Sequence, residues 1–211
     1  METGMKRTIS SMLAGAAALG FALAALPGNA GAQNTETAIF AGGCFWCVEK
    51  DFDHVPGVIS TVSGYAGGTS ENPTYTNHGA AGHREVVKIE YDDAKVSFDK
   101  LLDVFWHSVD PTDGGGQFCD RGHPYTTAVY ASGKDEIKAA EASKVEIAKL
   151  LGKPVATEIA PAPAFWPAEE YHQDYYKKNP IRYRFYRSSC GRDKAIDKLW
   201  GKAAHQGIEG S

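Results

Sequence analysis

The chain has 211 residues, 43% of them hydrophobic and 23% charged, with four cysteines and a formal net charge of −4 at pH 7. That length suits one domain with a full core, and a mildly acidic chain lacks the basic footprint that nucleic acid or an anionic membrane requires. Four cysteines leave thiol chemistry, a disulfide framework and metal ligation all open.

At the N-terminus, Lys6 and Arg7 precede an apolar run from Met12 to Leu26, followed by Pro27 and the small residues Ala30-Gly31-Ala32. This is the layout of a secretory signal with cleavage after Ala32, and Met5 offers a second start beside Met1. The run falls short of the roughly 20 apolar residues that span a bilayer, and no cysteine follows it to carry a lipid. The mature chain, residues 33–211, is therefore expected to be exported, to the periplasm or beyond, and to form one domain. It becomes more acidic by one charge, because Lys6 and Arg7 leave with Glu2.

Thr37 to Ala41 reads as a strand stopped by Gly42-Gly43. A helix follows from Cys44, with Phe45, Val48 and Phe52 at spacings of three and four until Pro56-Gly57. Val58 to Tyr65 is strand-like, Gly64 to Tyr75 a loop, and Glu85 to Tyr91 an alternating strand with Val87, Ile89 and Tyr91 on one side. Phe98, Leu101, Leu102, Phe105 and Trp106 make an apolar helical stripe behind a Ser97 cap. A glycine loop from Gly114 to Gly122 leads to a strand from Tyr125 to Tyr130, a helix from Asp135 to Leu151 and a strand from Val155 to Ile159. From Pro161 the tail holds short helical pieces, and "IRYRFYRSSCGRD", which alternates Arg with aromatics, reads as a charged strand or loop beside Cys190. The order β-α-β-β-α-β, with a further α-β, predicts an α+β fold of the ferredoxin-like, split βαβ kind: a mostly antiparallel sheet with helices, plus an irregular C-terminal tail.

Cys44 stands where a strand ends in Gly-Gly and a helix begins, and the free N–H groups and dipole there favour a thiolate. Cys47 is one turn further along without that advantage. Strand parity puts Glu85 on the apolar side of its strand, where burial would raise its pKa and let it donate a proton near neutral pH; the alternative is a solvated loop carboxylate. Tyr75 and Tyr125 lie at element ends where loops gather, so their hydroxyls suit holding a polar oxygen. A zinc site from Cys44, Cys47, Cys119 and His123 is permitted by spacing alone, and no metal or cofactor is expected.

The segments "GGCFWCVE", "GYAGGTSENPTY", "GHREVVKIEYD", "LLDVFWHSVDPTD", "QFCDRGHPY", "AEEYHQDYYKKNP" and "CGRDKAIDKLWG", in that order, resemble peptide methionine sulfoxide reductase A, which reduces the S epimer of methionine sulfoxide. The resemblance covers nearly all of the mature chain, and the family's fold is ferredoxin-like. It implies that Cys44 attacks the sulfoxide sulfur, that Phe45 and Trp46 wall an apolar pocket for the S-methyl group, and that Glu85 protonates the oxygen while Tyr75 and Tyr125 hydrogen-bond it. Asp120 is implied to bind the substrate backbone. Cys44 would be left as a sulfenic acid, and a second thiol would condense with it to a disulfide that a thioredoxin-like partner reduces. Cys190 is favoured for that step because Arg187 and Arg192 lie near it in sequence and the tail reads as mobile. Cys119, in "FCD", and Cys47, which would need a strained bridge within one helical turn, are the alternatives.

Two departures from the family pattern bear on the acid: a short "TNHGAAGHR" stretch, and Arg84 in place of a small residue, a cation that would hold Glu85 ionised. Two readings outside this class remain: a thiol-disulfide oxidoreductase using Cys44 and Cys47 as its redox pair, and an exported binding domain with two structural disulfides. The reductase is expected to act as a monomer, without nucleic acid or membrane contact in its mature form.

Overall fold

A computed structural model of the chain describes residues 1, 2 and 34–210. The expected signal segment lies outside the described residues. Residues 33–211 cluster as one compact unit, and no described helix is long and apolar enough to cross a membrane.

The fold is a mixed α+β arrangement around one curled sheet. Strand β1 (Thr35–Ala41) leads into helix α1 (Phe45–Phe52), then β2 (Val58–Ala66), β3 (Arg84–Asp92) and helix α2 (Phe98–Trp106). A short hairpin of β4 (Gly116–Gln117) and β5 (Asp120–Arg121) and a 3-10 turn (His123–Tyr125) precede β6 (Ala128–Ala131). Helix α3 (Gly133–Leu151), β7 (Glu158–Pro161), β8 (Phe165–Pro167) and helices α4 (Tyr175–Lys178), α5 (Pro180–Cys190) and α6 (Arg192–Trp200) complete it. The main sheet has six strands in the order β7-β6-β1-β3-β2-β8, all neighbours antiparallel except β6 and β7.

Side-chain alternation gives the sheet two different faces. Ala38 and Phe40 of β1 and Val87, Ile89 and Tyr91 of β3 point into the main core beneath α1 and α2. There Phe40 stacks between Phe52 and Phe105, at 5.3 and 5.0 Å between ring centroids. Fully burying each such side chain stabilises the fold by about 1.5–3 kcal/mol. Ile39, Ala41, Val86 and Tyr130 face the other way, against Ala160 and Phe165. Helix α2 starts where its pattern predicts, with Ser97 Oγ accepting the Lys100 N–H at 3.2 Å.

Three sequence expectations shift. The strand expected from Tyr125 begins at Ala128, because Pro124 lies in the 3-10 turn, where its ring favours a bend over a ladder. The last long strand starts at Glu158 rather than Val155, pairing in parallel with β6. The Arg-aromatic tail is neither strand nor loop. It is helix α5, opened by Pro180, and Tyr183 and Arg187 form its buried face at a spacing of four.

Candidate active site

The turn between β1 and α1 is tight. Gly43 sits at φ +88°, and a Cβ there would come within 2.7 Å of Gln117 Cβ, so glycine is required on both backbone and steric grounds. Arg192, buried, holds the turn from the far side, its Nη1 donating to the Gly42 carbonyl at 3.0 Å and its Nη2 to that of Ser108 at 2.8 Å. Cys44 then occupies the helix N-cap with φ −54° and ψ 120°, and its side chain makes no capping bond.

Cys44 (7% exposed) opens onto a cavity of about 50 Å³ lined by Phe45, Trp46, Tyr75, Glu85, Asp120, Tyr125 and Tyr186. By liquid volume this holds one or two waters at about 30 Å³ each, so it fits a small group rather than a whole side chain. Phe45, Trp46, Tyr75, Glu85, Asp120 and Tyr125, expected from sequence to surround Cys44, thus converge on it from α1, the β2–β3 loop, β3, β5 and the 3-10 turn. Cys190 does not line the cavity.

Glu85 is on the strand rather than in a loop, and is 2% exposed. Burial pushes its carboxyl up to about 8, opposed by the Phe45 N–H, which donates to Oε2 at 2.9 Å. It is therefore largely protonated at neutral pH and able to donate. Arg84 does not offset this: it faces the opposite side of the sheet, pairing with Glu158 at 2.7 Å and donating to Tyr130 Oη at 2.8 Å. Tyr75 and Tyr125 line the same cavity, and burial raises both phenols, keeping them neutral donors.

The low Cys44 pKa expected from the helix dipole is corrected by its surroundings. Burial pushes the Cys44 thiol up, reinforced by its contact with Cys47, and the first free N–H of the helix is taken by Glu85. Cys47 is instead drawn down to about 7, chiefly by its hydrogen bond with Cys44, against burial and with help from Arg192 and Arg187.

Four residues that sequence reasoning missed complete the walls. The Tyr186 hydroxyl donates to Asp120 Oδ2 at 2.5 Å and touches Cys44. The Trp46 Nε1–H donates to His172 Nδ1 at 3.0 Å, and its ring stacks on Tyr175 at 3.7 Å. Glu169 accepts from the Tyr75 N–H and the Tyr65 hydroxyl, each at 2.9 Å. Nothing local marks these four, which come from the tail and reach the site only through packing. Trp46 and Tyr75 also border a second cavity of about 410 Å³ with Tyr171, His172 and Arg182.

Cys119 and Cys190 form a disulfide, their Cα atoms 5.0 Å apart. Cys190, favoured from sequence as the thiol that answers Cys44, is thus bonded to Cys119 at the end of helix α5, which buries Tyr183 and Arg187. Cys44 and Cys47 are free and buried, which rules out two structural disulfides. The zinc set does not form either. Among the described residues the one ligand cluster is Cys119, Asp120 and Cys190, whose two sulfurs are bonded to each other.

The Peptide methionine sulfoxide reductase family matches residues 36–204. Peptide methionine sulfoxide reductase MsrA 2 of Rhizobium meliloti is 53% identical over 177 residues, 84% of this chain and 89% of the relative. Its namesake from Caulobacter vibrioides is 47% identical over 200 residues, 93% of this chain and 100% of the relative. Among solved structures, methionine sulfoxide reductase A of Corynebacterium diphtheriae superposes with a TM-score of 0.63 at 36% identity, covering 70% of this chain and 76% of that one. Reduced Mxr1 of Saccharomyces cerevisiae gives 0.65 at 29% identity, covering 69% and 86%.

Proposed function

The chain belongs to the peptide methionine sulfoxide reductase family, and on that premise we propose how its residues reduce methionine-S-sulfoxide, free or in proteins, to methionine. The observation that carries the reading is the convergence of one buried thiol, Cys44, and one raised carboxyl, Glu85, on the same small cavity. The sulfoxide head enters with its methyl group against Phe45 and Trp46. Its oxygen meets the hydroxyls of Tyr75 and Tyr125 and the Glu85 proton. Cys44 attacks sulfur while Glu85 makes the oxygen a better leaving group. The net step moves oxygen from the substrate to Cys44: methionine departs and Cys44 becomes a sulfenic acid. Asp120 and Tyr186 close the side where the substrate backbone lies.

A second thiol then condenses with the sulfenic acid, and a thioredoxin-like dithiol reduces the resulting intramolecular disulfide. The enzyme repairs oxidised methionine in an exported, periplasmic setting as a monomer, a reading supported by the N-terminal sequence pattern and the chain's net charge of −4. The run β6-β1-β3-β2, with α1 and α2 crossing between strands, supports a ferredoxin-like description of the core.

The test is reduction of the separate S and R epimers of a blocked methionine sulfoxide, driven by dithiothreitol, with wild type and Cys44→Ser compared. Turnover of the S epimer only, lost in the variant, is the expected result. A folded protein that turns over neither epimer overturns the reading.

A further inference from the structure

The cavity at Cys44 takes a sulfoxide head and nothing larger, so the rest of an oxidised polypeptide lies outside it. Consecutive residues stand about 3.8 Å apart, Cα to Cα, and the side chain next to the methionine therefore falls on the surface that adjoins this cavity. The second cavity, of about 410 Å³, does adjoin it, because Trp46 and Tyr75 are walls of both. Tyr186, on the side given to the substrate backbone, meets the Trp46 ring edge-on at 5.7 Å between centroids. A chain leaving the small cavity along that side passes the Trp46 edge and reaches the larger one.

The floor of the second cavity is a continuous run of rings. Trp46 stacks on Tyr175, and His172 packs against Tyr75 and Tyr171 at 4.5 and 4.2 Å. Tyr75 and Tyr171 remain 40% and 59% exposed, so this apolar surface faces solvent without a cover from the described residues. Its rim is polar. Asn179 is the N-cap of α5, yet its side chain makes no capping bond. Arg182 is exposed and has no ion-pair or hydrogen-bond partner among the described residues. The carboxylates nearest to it in sequence are engaged already: Glu169 by the Tyr75 N–H and the Tyr65 hydroxyl, and Glu170 by Lys178 at 2.7 Å. An aromatic floor with a few polar groups at its edge is the make-up of a ligand pocket, and the permanent charge of the guanidinium gives that edge a sign.

We propose that this second cavity is a subsite for the residues flanking methionine sulfoxide in a polypeptide substrate. A large apolar side chain beside the methionine lies on the rings of Tyr171 and Tyr175, and Arg182 pairs with a carboxylate one residue further along, with Asn179 bonding the backbone between them. The preferred substrates are thus oxidised segments with apolar and acidic neighbours. This deepens the reductase reading and rests on it.

The test uses three blocked peptides with methionine-S-sulfoxide at the centre, flanked on both sides by Phe then Glu, by Phe then Lys, or by Gly then Glu. Blocked methionine-S-sulfoxide alone, too short to reach the second cavity, is the reference, and dithiothreitol drives all four reactions. Expected for wild type is a kcat/KM roughly tenfold higher for Phe-Glu than for Gly-Glu, and about threefold higher for Phe-Glu than for Phe-Lys, a margin that shrinks as salt is added. The chain's net charge of −4 favours the Lys peptide at long range, so a preference for Glu reports the local cation. In Arg182→Glu the order of the Glu and Lys peptides inverts while the reference keeps its wild-type kcat/KM, and in Tyr171→Ala the gap between the Phe and Gly peptides narrows. Equal kcat/KM for the three peptides, or an unchanged order in Arg182→Glu, overturns the inference; the reductase reading survives, since the reference is still reduced. No turnover of the reference or of any peptide by folded wild type is failure of the reductase reading and overturns both.

Discussion

The backbone N–H of Phe45 donates to Glu85 Oε2 at 2.9 Å, 40 residues away in sequence. The residue after Cys44 thus positions the Glu85 carboxyl, coupling the first turn of α1 to the start of β3. The bond lowers the Glu85 pKa, yet burial dominates and leaves it at about 8.

Glu85→Gln keeps the shape and removes the proton. Loss of a positioned general acid costs roughly 10²–10⁴ in rate, and wild-type kcat/KM should fall as pH rises through about 8, a limb absent from the variant. A pH profile that keeps this limb in Glu85→Gln assigns it to another group.

The same carboxyl sets a stability trend. Its folded pKa is raised, so between about 4.5 and 8 the folded state binds more protons than the unfolded one. Stability from this group is therefore greatest below about pH 4.5 and is lost as pH rises to about 8. Comparing urea midpoints of wild type and Glu85→Gln at pH 6 and pH 9 should show the variant gaining relative stability at the higher pH.

Arg187 is buried between Asp51, which it reaches at 2.8 Å, and Asp193, at 2.7 Å, and it also donates to the Tyr183 hydroxyl. Arg187→Ala leaves buried Asp51 with only the longer contacts to Arg192 at 3.8 Å and Lys50 at 3.9 Å, a loss of about 3 kcal/mol, the low end for a broken buried pair. Chemical denaturation reads it directly, and a change below about 1 kcal/mol would contradict the buried pair.

The Tyr186 hydroxyl bonds Asp120 at 2.5 Å and contacts Cys44. Tyr186→Phe leaves the Asp120 carboxylate short of a buried donor, worth about 1–3 kcal/mol, so kcat/KM should fall roughly five- to a hundredfold with little change in fold. Equal kinetics in the variant would show that this hydroxyl does not shape the site.

Trp46 stacks on Tyr175 at 3.7 Å and donates to His172. Trp46→Ala removes the apolar wall and frees that partner, so KM for the S epimer should rise at least tenfold. Discrimination between methyl and ethyl sulfoxides should weaken with it; a KM change without any loss of discrimination would assign the wall to Phe45 alone.

Local pattern in the sequence carried much of this protein. The element order, the Ser97 cap, the placement of Cys44 at a helix start and the face on which Glu85 lies all follow from periodicities of 3.6 and 2 and from where glycine and proline stop them. The ordered motifs around Gly-Cys-Phe-Trp carried the family. Helix α5 is hidden in the sequence because Arg alternating with aromatics mimics strand periodicity, and the i, i+4 pair Tyr183 and Arg187 acquires meaning only once Asp51 and Cys47 of α1 pack on it.

The tertiary structure alone decided the partnerships. Four cysteines allow three full pairings, and closing the chain over 71 residues chose Cys119 with Cys190 while leaving Cys44 beside Cys47. It also decided their protonation: burial raises Cys44, whereas Cys47 is lowered by Cys44 itself and by Arg187 and Arg192, which lie about 140 residues further along the chain. A pKa reports the charges and dielectric around a group, and those come from residues that sequence order does not place next to one another.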